Sequence, residues 1–392
     1  MGASALLDGI KVVEMGQALA GPFVGTICAD LGARVIKIEG PDGDAARGWG
    51  PPHIGDDASV FHYVNRNKVS VTLDLSKPED RTRLDALLAE ADVFVHNMRL
   101  GSAAKLGVDA DTLCTRFPTL VHGDIAAFGH VGPMKDRPGY ELALQAYGGI
   151  LSVTGTPEAG PMRAGPSIMD FGTGMWTALA VIAALYRRTI SGKGCRIETS
   201  LLETALSWMG LHLANFATDG LMPVPMGAAH PLVAPYGAYQ ASDGPIIIAT
   251  ASDRLFERLA RALGHEEWLA DPRFADNAGR IGHRAEIDAA VGAVVATRSK
   301  AEWVDLLVTA GVPCVPIQNS AELMLDPQVA ALGMLAPEPG SGVAMVAMPF
   351  NVDGEKPPIR TPSPTRAETE AMREQLDAAI AAGANPFDRL FG

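Results

Sequence analysis

Short apolar runs rich in β-branched residues alternate with amphipathic segments over the first 130 residues of the chain. Five of these runs predict strands: 10–15, 34–39, 70–76, 92–97 and 119–128. The segments between them, such as FVGTICADLG and KPEDRTRLDALLAEA, predict helices, and the first of these is closed by Gly32. Because strands that alternate with helices form parallel sheets, the pattern predicts an α/β fold with helices on the faces of a sheet.

A second region of the pattern begins near residue 215. Residues 232–252 contain two strand-like runs joined by a turn at Ser242-Asp243-Gly244. Amphipathic segments follow at 253–264 and 284–297 and predict helices. This region therefore predicts a smaller mixed α+β unit.

The last part of the chain changes character again. The stretch 334–366 is rich in Pro and Gly, which predicts a crossing or linker segment. The tail predicts a helix over 365–383. Since domains usually contain ~150 residues, a chain of 392 residues is expected to form two domains.

The overall charge of the chain limits its partners. The formal net charge is −13 and the pI is about 5.1. An acidic surface repels nucleic-acid phosphates and anionic lipids, so neither nucleic acid nor a membrane is an expected partner. A small anionic ligand is not excluded, because a few local Lys and Arg side chains can still line a pocket.

Compartment signals favour the cytoplasm. The four cysteines stand at least 81 residues apart and form no C-x-x-C pair, so a disulfide framework is not expected. The first nine residues, MGASALLDG, lack the basic and apolar regions of a signal peptide. The longest apolar stretch, Met175 to Tyr186, has 12 residues, fewer than the ~20 that a bilayer requires. The protein is therefore expected to be soluble and cytoplasmic.

Several common catalytic motifs are missing. Gly16, Gly21 and Gly25 do not have the G-x-G-x-x-G spacing of a dinucleotide-binding loop, and no phosphate-binding P-loop occurs. The nine histidines form no metal-ligand motif, so we predict no metal, and the absence of G-x-S-x-G argues against an α/β-hydrolase. An α/β sheet binds ligands at the carboxyl ends of its strands. We therefore expect loops 16–22, 39–47 and 97–101 to surround a site.

Asp170 is the most distinctive candidate for chemistry. It follows an extended segment and precedes Gly172, Gly174 and a strongly apolar helix. A carboxylate at that position either caps the helix or acts as a nucleophile beside free backbone N–H groups that could stabilise an oxyanion. The residues alone favour the cap. The two glycines favour the nucleophile somewhat, since glycine lets a ligand approach the backbone closely.

At this point a resemblance to a known family can be stated. MDFGTG and GQALAGPFVGTICADLGARVIKIEGPDGD resemble segments of the family III CoA-transferases, the CaiB/BaiF family that includes formyl-CoA transferase and carnitine CoA-transferase. NRNKVSVTLDLS, VHNMRLGSAAKLG, GHVGPMKDRPGYELALQAYGG and SGKGCRIETSLLETAL are similar to the family's successive blocks. The resemblance runs in register from about residue 8 to about residue 350.

The resemblance implies both an architecture and an activity. It implies a Rossmann-like parallel-sheet large domain at 1–200, a smaller α+β domain at 220–325, and a linker and tail at 330–392 that return to the large domain. Two chains would interlock as rings in a homodimer. The implied activity moves CoA from an acyl-CoA donor to a small carboxylic acid, with acyl-CoA as a substrate and no tightly bound cofactor.

The resemblance also implies roles for individual residues. Asp170 matches the nucleophile, which would carry the covalent aspartyl intermediate, and Tyr140 and Glu141 match a pair beside it. Gln17 lies in the loop that approaches the CoA thiol and is a further catalytic candidate. The implied contacts to CoA are Ala18, Leu19, Leu73, Asn97, Met98, Arg99 and Lys105.

Each of these residues also has an ordinary structural interpretation. Asn97 could cap the turn after its strand, Tyr140 could be a packing residue, and Arg99 and Lys105 could be solvated surface charges. The sequence Met226 to His230 replaces the glycine-rich lid of formyl-CoA transferase with a shorter segment, which argues against specificity for oxalate and formate.

Two other functions remain open from the sequence. The family also includes α-methylacyl-CoA racemase, in which a His stands at the position of Tyr140. Tyrosine, with a pKa of ~10, is a poor base at neutral pH, so the racemase is the second choice. The third possibility, a non-catalytic CoA-binding protein, is disfavoured by the intact Asp170-x-Gly-x-Gly motif.

Overall fold

A computed structural model describes residues 6–392 and shows a mixed α/β protein. The first residues, MGASA, lie outside the described residues, so the expectation of no signal peptide is not addressed by the structure. The chain divides into two compact units. Unit 1 takes the residues up to Ile150, then Ala164–Gly220 and Pro327–Gly392, and unit 2 takes Leu151–Arg163 and Leu221–Asp326.

The described strands follow the predicted order and add several short ones. In chain order they are β1 (Lys11–Met15), β2 (Arg34–Glu39), β3 (His53–Ile54), β4 (Asp57–Ala58), β5 (Lys68–Thr72), β6 (Val93–His96), β7 (Val121–Ala126), β8 (Gly155–Thr156), β9 (Gly160–Pro161), β10 (Cys195–Ser200), β11 (Tyr236–Ala241), β12 (Gly244–Ala249), β13 (Cys314–Pro316), β14 (Leu335–Pro337) and β15 (Ala344–Val346).

Helices occupy most of the segments between the strands. In chain order they are α1 (Ala20–Asp30), α2 (Ser59–Tyr63), α3 (Pro78–Glu90), α4 (Leu100–Leu106), α5 (Ala110–Arg116), α6 (Glu141–Tyr147), α7 (Ile150–Val153), α8 (Ile168–Ser191), α9 (Leu201–Trp208), α10 (Gly210–Asp219), α11 (Asp253–Leu263), α12 (Asn277–Gly282), α13 (Arg284–Val295), α14 (Lys300–Thr309), α15 (Ser320–Leu325), α16 (Pro327–Ala331), α17 (Arg366–Ala381) and α18 (Pro386–Phe391).

Unit 1 is built on a six-stranded sheet in the order β10-β7-β6-β1-β2-β5, and all neighbouring strands are parallel. The prediction of an α/β fold with a parallel sheet is confirmed. The five strands expected from the apolar runs are present with ends shifted by a few residues, and β10 is an additional strand. Helices cover both faces of a parallel sheet, so the sequences of its strands are continuous apolar runs.

The strand order predicts where a ligand would bind in unit 1. After β1 the chain builds outward through β2 and β5, and it then returns to the other side of β1 to add β6 and β7. The direction of winding therefore reverses between β1 and β6. In open α/β sheets, ligands bind outside the carboxyl ends of the strands at such a reversal. The segments that begin at Gly16 and Asn97 leave the sheet at this point.

The C-terminal tail belongs to the core of unit 1. Helix α17 begins with a capping box between Thr365 and Glu368, and it confirms the helix predicted at 365–383. Leu376, Phe387 and Leu390 are buried in the same apolar cluster as the central strands. The segment 334–366, predicted as a linker, instead contains the antiparallel pair β14 and β15.

Helix α8 is longer than the apolar stretch in its sequence. Among residues 6–392 it is the one helix long and apolar enough, by length and composition, to cross a membrane. Half of its most apolar window is buried within the protein. The apolar run of 12 residues in the sequence therefore underestimates the length of this helix, which is 24 residues. A single helix of this kind is weak evidence for a span, because core helices meet the same criterion.

Unit 2 contains a small antiparallel sheet, β11-β12-β13, packed against helices. The turn expected at Ser242-Asp243-Gly244 joins β11 to β12, and helices α11 and α13 occupy the two predicted amphipathic segments. The unit boundaries differ from the expected ones in two respects. Unit 1 continues to Gly220 rather than ending at 200, and Leu151–Arg163 lies in unit 2.

Candidate functional site

The loop after β1 is held by hydrogen bonds from neighbouring loops. The Asn97 side chain accepts from Gln17 N at 2.9 Å and donates to Gln17 O at 2.8 Å. Asp44 Oδ1 accepts from Ala18 N at 3.0 Å. Segments following β1, β2 and β6 therefore meet, as predicted from the carboxyl ends of the strands. The side-chain amide of Asn97 is therefore engaged by the backbone of Gln17, and the Gln17 side chain is exposed.

Helix α1, which follows this loop, packs against the first turns of α8. A Cβ added at Gly174 would lie 2.9 Å from Ala20 O. The ring of Phe23 meets that of Phe171 edge to face, with 4.9 Å between the ring centres. These contacts bring the beginning of α1 and the first turn of α8 to the same part of unit 1, and that turn carries Asp170.

The glycines after Asp170 serve packing rather than ligand approach. A Cβ at Gly172 would collide with the ring of Trp208, and one at Gly174 would crowd Ala20 O and Phe23. The expectation that Gly172 and Gly174 open the backbone to a ligand is therefore wrong. The physical reason is that neighbouring helices fill both positions.

Glu141 caps α8 in place of Asp170. Its carboxylate accepts from Met169 N at 3.2 Å and from Asp170 N at 2.9 Å. The N-cap residue, Ser167, forms no side-chain cap bond. The helix-cap interpretation of Asp170 is therefore wrong. The expectation that the N–H groups of Met169 and Asp170 are free for an oxyanion is also wrong, because Glu141 has already bound them.

The carboxyl group of Asp170 is strongly perturbed. Burial, together with the nearby negative charge and hydrogen bond of Glu141, raises the pKa of Asp170 from its usual value near 4 to about 7. Two carboxyl groups in contact cannot both ionise easily, since like charges repel. A half-buried carboxyl group with a pKa near neutrality is a common property of catalytic acids, bases and nucleophiles.

The remaining predicted residues occupy different environments. Tyr140 is 72% exposed and precedes α6, so its ring is not a core residue. Arg99 and Lys105 are exposed at the beginning and in the last turn of α4. Neither of them forms an ion pair within residues 6–392. Met98 is half-buried against the core.

Two predicted CoA contacts lie in the interior. Leu73 is 2% exposed and belongs to the main apolar cluster, while Leu19 is 6% exposed and packs near Phe23. Their side chains therefore stabilise the fold, and contact with a ligand stays a prediction for their backbone atoms alone. Ala18, by contrast, is half-buried beside the exposed Gln17.

Sequence reasoning missed the buried charges beneath this loop. Glu14, Lys37 and Lys68 lie inside strands β1, β2 and β5 and have almost no exposed surface. Lys37 Nζ donates to Gly16 O at 2.8 Å and to Glu14 Oε1 at 3.0 Å. A signal was available: a charged residue within an apolar run of a parallel sheet must be buried, and a buried charge requires a partner.

The sequence and structure of the chain match those of known proteins. Residues 7–369 match the family model described as CoA-transferase family III. The chain is 34% identical over 376 residues to a succinate–glutarate CoA-transferase of Agrobacterium fabrum, covering 93% of this chain and 94% of that protein. The chain belongs to CoA-transferase family III. The family expected from the sequence motifs is thus confirmed, and the protein is an enzyme that transfers CoA.

A second relative and a solved structure also match almost the whole chain. An acetyl-CoA:oxalate CoA-transferase of Acetobacter aceti is 34% identical over 375 residues, covering 95% of this chain and 96% of that protein. The crystal structure of a CaiB/BaiF family protein from Brucella suis is similar, with a TM-score of 0.86 and 37% identity. That match covers 95% of this chain and all of the other.

Unit 2 of the transferase contains a cavity of about 400 Å³. It is lined by the loop 226–229, by strand β11 and by helix α13. At its wall Tyr239 donates a hydrogen bond of 2.6 Å to Asp288, and burial and this carboxylate raise the pKa of Tyr239. The loop 226–229 therefore borders a cavity.

Metal ligands do not cluster in the described part of the transferase. No group of three or more His, Cys, Asp or Glu side chains within residues 6–392 has an arrangement that could hold a metal ion. The four cysteines are free thiols.

Proposed function

We propose that this enzyme moves CoA from an acyl-CoA donor to a small carboxylic acid through a covalent intermediate on Asp170. The observation that carries the proposal is the position of Asp170. Its carboxyl group stands in the first turn of α8, is not consumed by capping, and has a pKa of about 7. An ionised carboxylate at a fixed position can act as a nucleophile towards a thioester.

The proposed reaction consists of four acyl transfers. The Asp170 carboxylate attacks the donor thioester, which forms a mixed anhydride and releases CoA thiolate. The thiolate attacks the aspartyl carbonyl of the anhydride, which forms an aspartyl-CoA thioester and releases the donor acid. The acceptor carboxylate attacks this thioester, which gives a second anhydride and CoA thiolate. The thiolate then attacks the acceptor carbonyl, which yields the new acyl-CoA and restores Asp170.

Glu141 assists this sequence in two ways. By accepting from Met169 N and Asp170 N, its carboxylate holds the backbone that carries the nucleophile. Its charge also destabilises the ionised form of Asp170. Because acylation removes the negative charge of Asp170, all three covalent intermediates relieve this repulsion. Glu141 therefore favours the acylated enzyme over the free carboxylate.

The crevice between β1 and β6 is the proposed position of CoA. Gln17 and Ala18 stand at one side of it, and the segment from Asn97 to Arg99 stands at the other. The exposed charges of Arg99 and Lys105 are available for the CoA phosphates, since neither is engaged in an ion pair within the described chain. Tyr140, exposed next to Glu141, is proposed to contact the acyl group.

A small dicarboxylic acid is the first acceptor to test. The names of the relatives from Agrobacterium fabrum and Acetobacter aceti refer to succinate, glutarate and oxalate. Each of acetyl-CoA, succinyl-CoA and glutaryl-CoA should be mixed with each of acetate, oxalate, succinate and glutarate, and the products analysed by mass spectrometry. For each molecule of donor acyl-CoA consumed, we expect one molecule of the acyl-CoA of the acceptor acid. Accumulation of free CoA, or exchange of the α-hydrogen without transfer, would contradict CoA transfer as the activity.

We also propose that the enzyme is a homodimer. Helix α8 exposes one stripe of large apolar side chains at helical spacing: Trp176, Leu179, Tyr186 and Ile190. Helices α9 and α10 expose others, including Trp208, Leu211 and Phe216. Exposed apolar surface of this extent is typical of an interface between proteins. The interlocked arrangement of the two chains, which the family resemblance implies, stays a prediction.

The dimer can be tested by light scattering. At micromolar concentration we expect twice the 41.1 kDa mass of the chain. The double substitution Leu179→Glu and Ile190→Glu places two charges on the apolar stripe and should lower that mass. Val131→Glu, which changes another exposed apolar residue, is the matched control and should remain dimeric. A folded wild-type monomer would rule out the proposal.

A further inference from the structure

The segment Gly16-Gln17-Ala18 is restrained at each of its three residues. Lys37 donates to Gly16 O, Asn97 binds both backbone groups of Gln17, and Asp44 accepts from Ala18 N. Ala18 has φ of 63°, a left-handed conformation that residues other than glycine rarely adopt. A strained conformation persists only where its surroundings impose it. The neighbours of this segment therefore determine its shape.

Asp44 is itself held by a cluster of buried charges. We define the buried charge cluster as Glu14, Lys37, Glu39, Asp44, Arg47, Asp57 and Lys68, each less than 6% exposed. Lys37 Nζ lies 2.8 Å from Asp44 Oδ2, and Asp44 N donates to Glu39 Oε2 at 2.9 Å. Buried ions are costly unless each remains paired, so the members of such a cluster have little freedom to move.

The two oxygens of Asp44 have different partners. Oδ2 faces the ammonium of Lys37, while Oδ1 accepts from Ala18 N at 3.0 Å and from Ala46 N at 2.9 Å. Asp44 therefore connects the rigid cluster directly to the strained residue of the segment. Asp57, by comparison, pairs with Arg47 in the same cluster and forms no contact with the segment.

While these bonds hold its backbone, the segment presents the side-chain amide of Gln17 at the surface. The segment leads into α1, whose first turn packs against α8 one turn beyond Asp170. The backbone N–H groups of Met169 and Asp170 are already bound by Glu141. A donor for the oxygen of the reacting carbonyl must therefore come from another element, and Gln17, whose backbone is fixed by Asn97, is the candidate that this segment offers.

We propose that Asp44 is a positioning residue of the transfer reaction: it transmits the rigidity of the buried charge cluster to Ala18 and so holds the Gln17 amide beside the first turn of α8. This inference rests on the proposed function of Asp170. It assigns a kinetic role to a buried carboxylate that is separate in the chain from both Gln17 and Asp170.

The test compares Asp44→Ala, Asp44→Asn and Asp57→Asn. Asp44→Ala removes the acceptor for Ala18 N. We expect kcat to fall roughly tenfold, because misplacement of a reacting group affects the chemical step. The KM for acyl-CoA should change about twofold or less. Asp44→Asn keeps an acceptor oxygen and should restore most of kcat. Asp57→Asn removes a charge from the same cluster and should leave kcat near that of the wild type.

Hydrogen exchange provides a measurement independent of activity. The peptide that contains Gln17 and Ala18 should exchange faster in Asp44→Ala than in Asp57→Asn. Equal exchange in the two variants, or an equal loss of kcat in both, would overturn the proposal. If Asp44→Ala does not fold, Asp44→Ser replaces it in both comparisons with Asp57→Asn, because the serine hydroxyl ends one bond short of the carboxylate oxygen that accepts from Ala18 N. Absence of transfer in the wild type would refute the proposed function, and the exchange comparison would still decide whether Asp44 holds the segment.

Discussion

Asp170→Asn is expected to abolish CoA transfer, with a loss of roughly 10⁴-fold or more, the scale seen when a catalytic nucleophile is removed. Asn has nearly the same size as Asp, but its amide is a far poorer nucleophile. The raised pKa of Asp170 means that the folded protein holds this proton more tightly than the unfolded chain. The stability that neutral Asp170 contributes is therefore lost as the pH rises from about 4 to about 7, and the neutral Asn is expected not to lower the free energy of unfolding at pH 8.

The intermediate itself can be detected by mass spectrometry. Wild-type enzyme incubated with acyl-CoA and no acceptor should carry CoA on the peptide that contains Met169-Asp170-Phe171. Hydroxylamine should then attack the aspartyl thioester, release CoA and leave a hydroxamate on Asp170, which marks the same peptide. Asp170→Asn should bind acyl-CoA and acquire no adduct. Asp111→Asn, which changes a first-turn aspartate of α5, is the matched control and should transfer normally. Transfer by Asp170→Asn at nearly the wild-type rate would remove Asp170 from the mechanism.

The activity should depend steeply on pH below neutrality. Since the carboxylate is the nucleophile and the pKa of Asp170 is about 7, kcat/KM for acyl-CoA should fall about tenfold for each pH unit below 7 and level off above it. The rate at pH 5 is thus expected to be about 100-fold lower than at pH 8. Initial rates measured from pH 5 to pH 9 test this directly.

Glu141→Gln should change the pH dependence of CoA transfer. It removes the negative neighbour of Asp170, so the falling limb should move to lower pH. Burial, the larger cause of the raised pKa, remains in this variant. The pH at which kcat/KM is half its maximum should therefore stay above ~3.9, the pKa of an unperturbed aspartate. Glu370→Gln, an exposed change in the tail helix, should keep the wild-type profile. An unchanged profile in Glu141→Gln would contradict the coupling between the two carboxyl groups.

Most of the parallel sheet could be predicted from the chain. Strand β2 was expected at 34–39 and runs from Arg34 to Glu39, because a strand buried on both faces has a continuous apolar pattern. Strand β10 was not expected, since its sequence, CRIETS, alternates charged residues with apolar and small ones. Its burial alternates in the same way, and pairing with β7 stabilises it at the edge of the sheet. An edge strand lacks the pattern of a central one.

The candidate site was predicted in part. Asp170 and Glu141 were expected side by side on the basis of family motifs, and the structure brings them into contact. The cap interpretation of Asp170 failed because Glu141, 29 residues earlier in the chain, reaches the same N–H groups. No local pattern contains that information, since a capping signal in a sequence spans only about four residues.

The sequence by itself determined the α/β class, the tail helix and the family, because these depend on periodicity, on capping within one turn and on motifs in register. Only the tertiary structure decided what surrounds Asp170: the cap from Glu141, the filled space at Gly172 and the clasp of Gln17 by Asn97. Each of these joins residues that are far apart in the chain and meet only after the strands have taken their order in the sheet. The raised pKa of Asp170 has the same origin, since burial and a neighbouring charge are properties of the folded environment rather than of the residue.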